Sequence, residues 1–271
     1  MRALCRNALA VLMLSLAGLP GPDGHSAAST REPARAAQPD SASAGRFIPV
    51  YKAAKQDDNK AEARQWREWK ILEDFSEAMN DYIRIPDDIQ VVAEECEEPN
   101  AFYQANVISL CYELGVSERE MFTQADNDAD EVNDELYKSL MGTLFHEAGH
   151  AFIDVLELKI TGKEEDVANQ LVAYMLTNDE VGEDYLMTVS YAYSLSAEQA
   201  SSLDDLPFYD AHSLDAQRAV NFLCYIYGSN PDKFQYFVDD ELLHEDRAAG
   251  CEGEYRQMVD AWDALLEGKV K

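Results

Sequence analysis

The chain has 271 residues and carries 52 acidic against 22 basic side chains, a formal net charge of −30. So acidic a surface repels nucleic-acid phosphates and anionic lipid headgroups, which argues against both as partners. It can attract cationic peptides, although solubility alone accounts for it.

In chain order, the first signal is an export signal. Arg2 and Arg6 precede an apolar run from Ala8 to Leu19, and Ser26-Ala27-Ala28 follows with small side chains. The pattern predicts a secretory signal peptide over 1–28, too short for a membrane span. Residues 29–46, rich in Ala, Ser, Pro and Arg, read as a disordered tether. Residues 47–271 are enough for one sizeable domain, and no later segment is long and apolar enough to span a bilayer. The expected location is therefore exported, periplasmic or secreted.

Within the domain, Trp66, Trp69, Ile71, Phe75 and Met79 predict a first helix over 58–83. Residues 89–93 and 107–112 read as strands. Four cysteines follow the leader: Cys96, Cys111, Cys224 and Cys251. An even number in an oxidising compartment argues for two disulfides, and four cysteines allow three pairings. Local pairing, 96–111 and 224–251, is the simplest. The absence of a C-x-x-C pair argues against metal held by cysteine. Asp126, Asp128 and Asp130 match the first three ligand positions of a calcium-binding EF-hand loop. Glu131 stands where the turn needs Gly, however, and Tyr137 where it needs the final Glu, so an acidic loop is expected instead.

His146-Glu147-Ala148-Gly149-His150 is an H-E-x-x-H motif. Side chains four apart share one helix face, so both imidazoles can reach one metal ion while Glu147 reaches a water beside it. Leu136, Leu140, Leu144, Ala148, Ala151, Phe152 and Val155 give the flanking sequence a helical apolar stripe. Two His and a Glu beside such a stripe need something to offset their desolvation, and a metal supplies it. Gly149 inside a helix costs roughly 1 kcal/mol against Ala, which is easier to understand if another element packs closely there. A second helix starts near residue 162, with Glu164, Glu165 and Asp166 in its first turn, as the helix dipole favours.

H-E-A-G-H followed by G-K-E-E-D-x-A-N-Q resembles the bacterial metallopeptidases related to the gluzincins. The resemblance extends to 96–103 before 108–114, similar to a strand pair ahead of the metal helix, and to 210–218 with 224–228, similar to a downstream helix. It covers the chain from about residue 50 to the end. It implies that Glu165 is the third zinc ligand and that Asn169 holds a ligand His in place. Asn169 stands where the family carries an Asp, so its orienting effect should be weaker. Glu164 and Asp166 remain alternative ligands, although helix geometry turns them about 100° from Glu165, so neither should matter for zinc.

Downstream, 184–204, 213–227 and 253–266 read as helices. His212, flanked by Tyr209, Asp210 and Asp215, is a candidate donor to the oxyanion of peptide hydrolysis; Ser213 can cap the following helix. Arg218 can bind a substrate carboxylate or a structural acid, and His244 reads as structural. Few strands followed by many helices give an α+β, mostly helical zincin-like domain with a small N-terminal sheet. The expected function is an exported zinc metallopeptidase acting on a peptide or protein substrate, with ligands His146, His150 and Glu165, general base Glu147, and His212 in the active site. The alternative is a non-catalytic exported protein that binds a metal or a partner on the same scaffold.

Overall fold

The computed structural model describes residues 44–271 apart from 126 and 127. The expected signal peptide, residues 29–43 of the expected tether, and Asp126 of the calcium reading lie outside the described residues. Within the tether, Gly45 bridges to Ile85 and the Arg46 amide donates to Asp88.

The order is β1 (Phe47–Tyr51), α1 (Asp57–Trp69), α2 (Ile71–Tyr82), β2 (Ile89–Glu94), β3 (Ala101–Gln104), β4 (Val107–Cys111), α3 (Tyr112–Gln124), α4 (Ala129–Val155), α5 (Glu164–Leu176), α6 (Glu180–Glu198), a 3₁₀ turn at Leu203–Asp205, α7 (Asp215–Ser229), α8 (Tyr236–Asp239) and α9 (Glu245–Leu266). This is the expected α+β class, mostly helical with one small N-terminal sheet. The strands lie in the order β1-β2-β4-β3, with β1, β2 and β4 parallel and β3 antiparallel to β4. Central β2 is buried at Ile89, Val91, Val92 and Ala93, as a strand covered on both faces must be. Edge strand β3 lies against α4.

The structure corrects several elements. The expected helix over 58–83 is two, because Lys70 adopts φ 59° between them. Tyr51 meets this break: its hydroxyl accepts from the Leu72 amide and donates to Glu73. The chain turns directly from β4 into α3, which its weak apolar periodicity concealed. α6 starts before residue 184 and stops at Glu198, and α9 starts eight residues before the expected 253. The acidic loop serves α4: Asp128 accepts from the amides of Asp130 and Glu131, and Glu131 accepts from the Asp128 amide. That reciprocal cap explains the acids in this turn.

The core joins the two halves through α4. Phe75 of α2 meets Phe145 edge-on at 5.6 Å, and Phe47 of β1 meets Phe152 at 6.4 Å. Gly149 sets the approach of α5. A Cβ there would lie 2.7 Å from the Ala168 Cα, so only Gly lets the two helices pass this closely. Disulfides Cys96–Cys111 and Cys224–Cys251 form the local pairing; the second joins α7 to α9. Among the described residues, no helix is long and apolar enough to cross a membrane.

Candidate metal centre

α4 carries His146, Glu147 and His150 towards the first turns of α5. His146 Nε2 and His150 Nε2 stand 3.2 Å apart. Glu165 Oε2 lies 3.2 Å from the first and 3.3 Å from the second. These three atoms form a nearly equilateral triangle. In a tetrahedral centre with bonds of about 2.0–2.1 Å, neighbouring donors are roughly 3.3 Å apart, so the triangle has the size of one face of such a tetrahedron. Two imidazoles and a carboxylate are also the donor types that zinc accepts. The residues therefore fit a metal on both geometry and chemistry.

The outer ring nitrogens are held as well. His146 Nδ1 meets Asn169 Oδ1 at 2.9 Å, and Asn169 is buried. His150 Nδ1 meets Glu164 Oε1 at 2.8 Å. An acceptor at Nδ1 keeps that proton in place and leaves Nε2 with its lone pair for the metal. Glu164, expected to be nearly silent for zinc, thus contacts one of the candidate ligand rings. Glu164 points about 100° from Glu165, but that direction is where His150 presents its Nδ1. Asp166 accepts instead from the Ser213 hydroxyl at 2.7 Å, so Ser213 pins the loop to α5 and does not cap α7. Leu214 occupies that cap position.

His212 comes from the loop between α6 and α7. Its Nε2 lies 2.9 Å from Glu165 Oε2, its Nδ1 lies 2.9 Å from Asp210 Oδ1, and its ring stacks over His146. The donors of His146, Glu165 and His212 all lie within 4.8 Å of one another. Arg218 stands behind them. Its guanidinium lies over the Tyr193 ring and bonds the Tyr193 hydroxyl, reaches towards Asp215 at 3.6 Å and Asn169 at 3.5 Å, and keeps a buried Nε without a partner. His244 caps α9 through its Nδ1, a structural role.

The electrostatics follow from these contacts. The contacts with His146, His150 and His212 hold Glu165 far below the usual carboxylate range. Burial pushes His146 down, which favours the neutral form that can ligate a metal. Burial also acts against charge on His150, but Glu165, Glu164 and Glu147 outweigh it and raise that imidazole to about 9. The Glu165 contact raises His212, with Asp210 adding to it. Glu147 is 5% exposed, and burial pushes its carboxyl up to about 7.

One cavity of about 390 Å³ adjoins the cluster, bordered by His146, Glu147 and His212 on one side and by α3 on the other. Sequence reasoning missed two of its residues, Glu118 and Tyr193. Both sit in amphipathic helices with no motif around them, and only the packing of α3 and α6 against α4 brings them here.

A family model described as "Putative metallopeptidase" matches residues 51–266 of the chain. No curated protein and no solved structure matches it.

Proposed function

The chain belongs to that metallopeptidase family, and from this premise we propose an exported, zinc-dependent peptidase of gluzincin type. His146, His150 and Glu165 are its ligands, Glu147 its general base and His212 its donor to the carbonyl oxygen. The observation that carries the reading is the triangle of donors with 3.2–3.3 Å edges and a buried carboxyl beside it. A divalent metal held there supplies Lewis acidity to the attacking water and the scissile carbonyl.

The rest is work for the chain's own groups. Glu147 takes a proton from the attacking water and passes it to the leaving amine; its raised pKa lets the same carboxyl act as base and then as acid near neutral pH. His212, whose two carboxylate contacts favour its charged form, donates from Nε2 to the oxyanion as it forms. Asn169 and Glu164 fix the two ligand rings. Among the described residues β3 has one unpaired edge, and Ala101 borders the cavity, so an extended peptide can add to that strand. The two disulfides and the leader sequence support export.

One contact favours a second reading. His212 Nε2 at 2.9 Å from Glu165 is close enough to become a fourth protein ligand, which would close the site into a structural one. Its 42% exposed side chain, and a buried Glu147 that a structural site does not need, support the catalytic role. Metal analysis and a peptide-library digest separate the two. Glu147→Gln should keep its zinc and lose at least 10²–10⁴-fold in hydrolysis, and His212→Ala should keep zinc while losing rate. A wild-type chain that cleaves nothing, with a His212→Ala variant that loses zinc, would establish the structural alternative.

A further inference from the structure

We propose that Glu118, on the α3 wall of the cavity, selects a lysine or arginine side chain next to the scissile bond. This rests on the peptidase reading above and adds a substrate class to it.

The starting observation is an acid with nothing to balance it. Glu118 Oε2 is buried and has no hydrogen-bond partner, while the other side of the carboxyl is served by Ser139. No Lys, Arg or His pairs with Glu118 among the described residues. Two other buried acids of this chain are compensated. Glu62 holds Arg119 and Trp66, and Glu183 holds Lys233. Glu135 also has a bare oxygen, but it does not border the cavity. Ionised, Glu118 is a desolvated anion whose Oε2 has neither a counter-charge nor a donor. A cation that enters the cavity supplies the counter-charge and the donor that the ionised carboxylate lacks.

The walls suit a cation on an aliphatic stem. Leu114, Met121, Val189 and Ala192 line the cavity, and His146 and Glu147 border the same space. Lys and Arg lay their methylenes along such apolar surface and carry the charge to the far end. Arg218 also borders the cavity, but on the ligand side. Its charge is felt by His146 and His212, whereas Glu118 is shifted by burial and Ser139. The net charge of −30 further draws cationic peptides towards the molecule.

The test compares matched peptides that carry Lys or norleucine at one position beside the cleaved bond. The Lys:norleucine ratio of kcat/KM should favour Lys in the wild type and fall roughly 10–100-fold in Glu118→Gln, the loss expected for one charge-assisted contact. Glu118→Lys should shift the preference towards Glu. A ratio that does not change in Glu118→Gln overturns the inference. The second measurement needs no catalysis. n-Butylammonium, which copies the lysine side chain, should bind the zinc-loaded wild type more tightly than Glu118→Gln, and n-butanol should not discriminate between them. If no peptide is cleaved but n-butylammonium discriminates, the peptidase reading fails and the cation subsite stands. Equal binding of n-butylammonium to both proteins sinks the subsite whatever the peptides do. Unchanged circular dichroism of Glu118→Gln and Glu118→Leu excludes misfolding as the cause.

Discussion

The two sides of the cavity treat their acids in opposite ways. On the α4–α5 side, Glu165 is met by three imidazoles, and two of those rings are held in turn by Asn169 and Glu164. On the α3 side, Glu118 keeps a buried oxygen with no partner. A network with every outer nitrogen held is built in advance for something that stays, because its geometry costs nothing further when the ion arrives. An acid left open suits something that comes and goes, because its deficit is relieved only while the visitor is bound.

The largest way to break this contrast is to remove a corner of the triangle. His146→Ala, His150→Ala or Glu165→Ala leaves two donors of the triangle for a metal that wants four partners. Each variant should fall from about one zinc per chain to almost none by elemental analysis. Glu118→Gln should keep its full metal content. Loss of zinc in Glu118→Gln would mean that the two sides are one network.

A smaller break acts on the frame. Gly149→Ala pushes a methyl group to within 2.7 Å of the Ala168 Cα, and backbone has no easy way to yield. Such overpacking costs about 1–3 kcal/mol. It should also weaken zinc binding, because the α4–α5 distance sets the triangle. Gly253 gives the control: it lies within α9 and a Cβ there meets nothing within 4 Å. Gly253→Ala should gain about 0.5–1 kcal/mol in urea unfolding, since the new side chain fits the helix and limits the unfolded chain. If both substitutions behave alike, close helix approach is not what positions the site.

The groups behind the rings give the next contrast. Chelator competition should show a loss of about 10–100-fold in zinc affinity for Asn169→Ala and Glu164→Ala. Asn169 is buried and Glu164 has a side chain 52% exposed, so the first should lie near the upper end and the second near the lower. An inert Glu164→Ala would leave His150 oriented by packing alone.

Much of this was legible in the sequence because its spacing is local. H-E-x-x-H fixes three groups on one helix face by the helical repeat alone, and the acids of 164–166 mark the next helix start. The cysteines paired locally, as the simplest reading had it. What the sequence hid depends on approach between distant elements. Glu164 read only as an alternative to Glu165, and only the crossing of α4 over α5 aims it at His150. Glu118 sits 28 residues before His146 on a helix with a weak apolar stripe, and nothing around it marks chemistry. Lys70 broke a helix that its apolar residues extend through, because Tyr51 from β1 takes the amide and acid of the second helix's first turn.

The last effect is the pH dependence of stability at Glu118. Burial raises its carboxyl from the ordinary 4.5 to about 7. Between those values the folded chain holds a proton that the unfolded chain releases. Stability from this group is therefore fully present below about pH 4.5 and is lost as pH rises through about 7. Gln at this position does not titrate. The difference in unfolding free energy between Glu118→Gln and the wild type should then be near zero at pH 4. It should grow in favour of Gln up to pH 8 and level off at about 1–2 kcal/mol, less than the full shift implies because the residue is not wholly shielded from solvent. The imidazoles of His146, His150 and His212 are common to both proteins, so their titration cancels in the difference. Urea midpoints at pH 4, 6 and 8 measure it. A difference that stays flat with pH would mean that Glu118 is solvated or already balanced, and the contrast between the two sides of the cavity would lose its physical basis. Repeating the pH 8 measurement with n-butylammonium sharpens the point: the amine should raise the wild-type midpoint towards that of Glu118→Gln, because it supplies the charge that the fold leaves out.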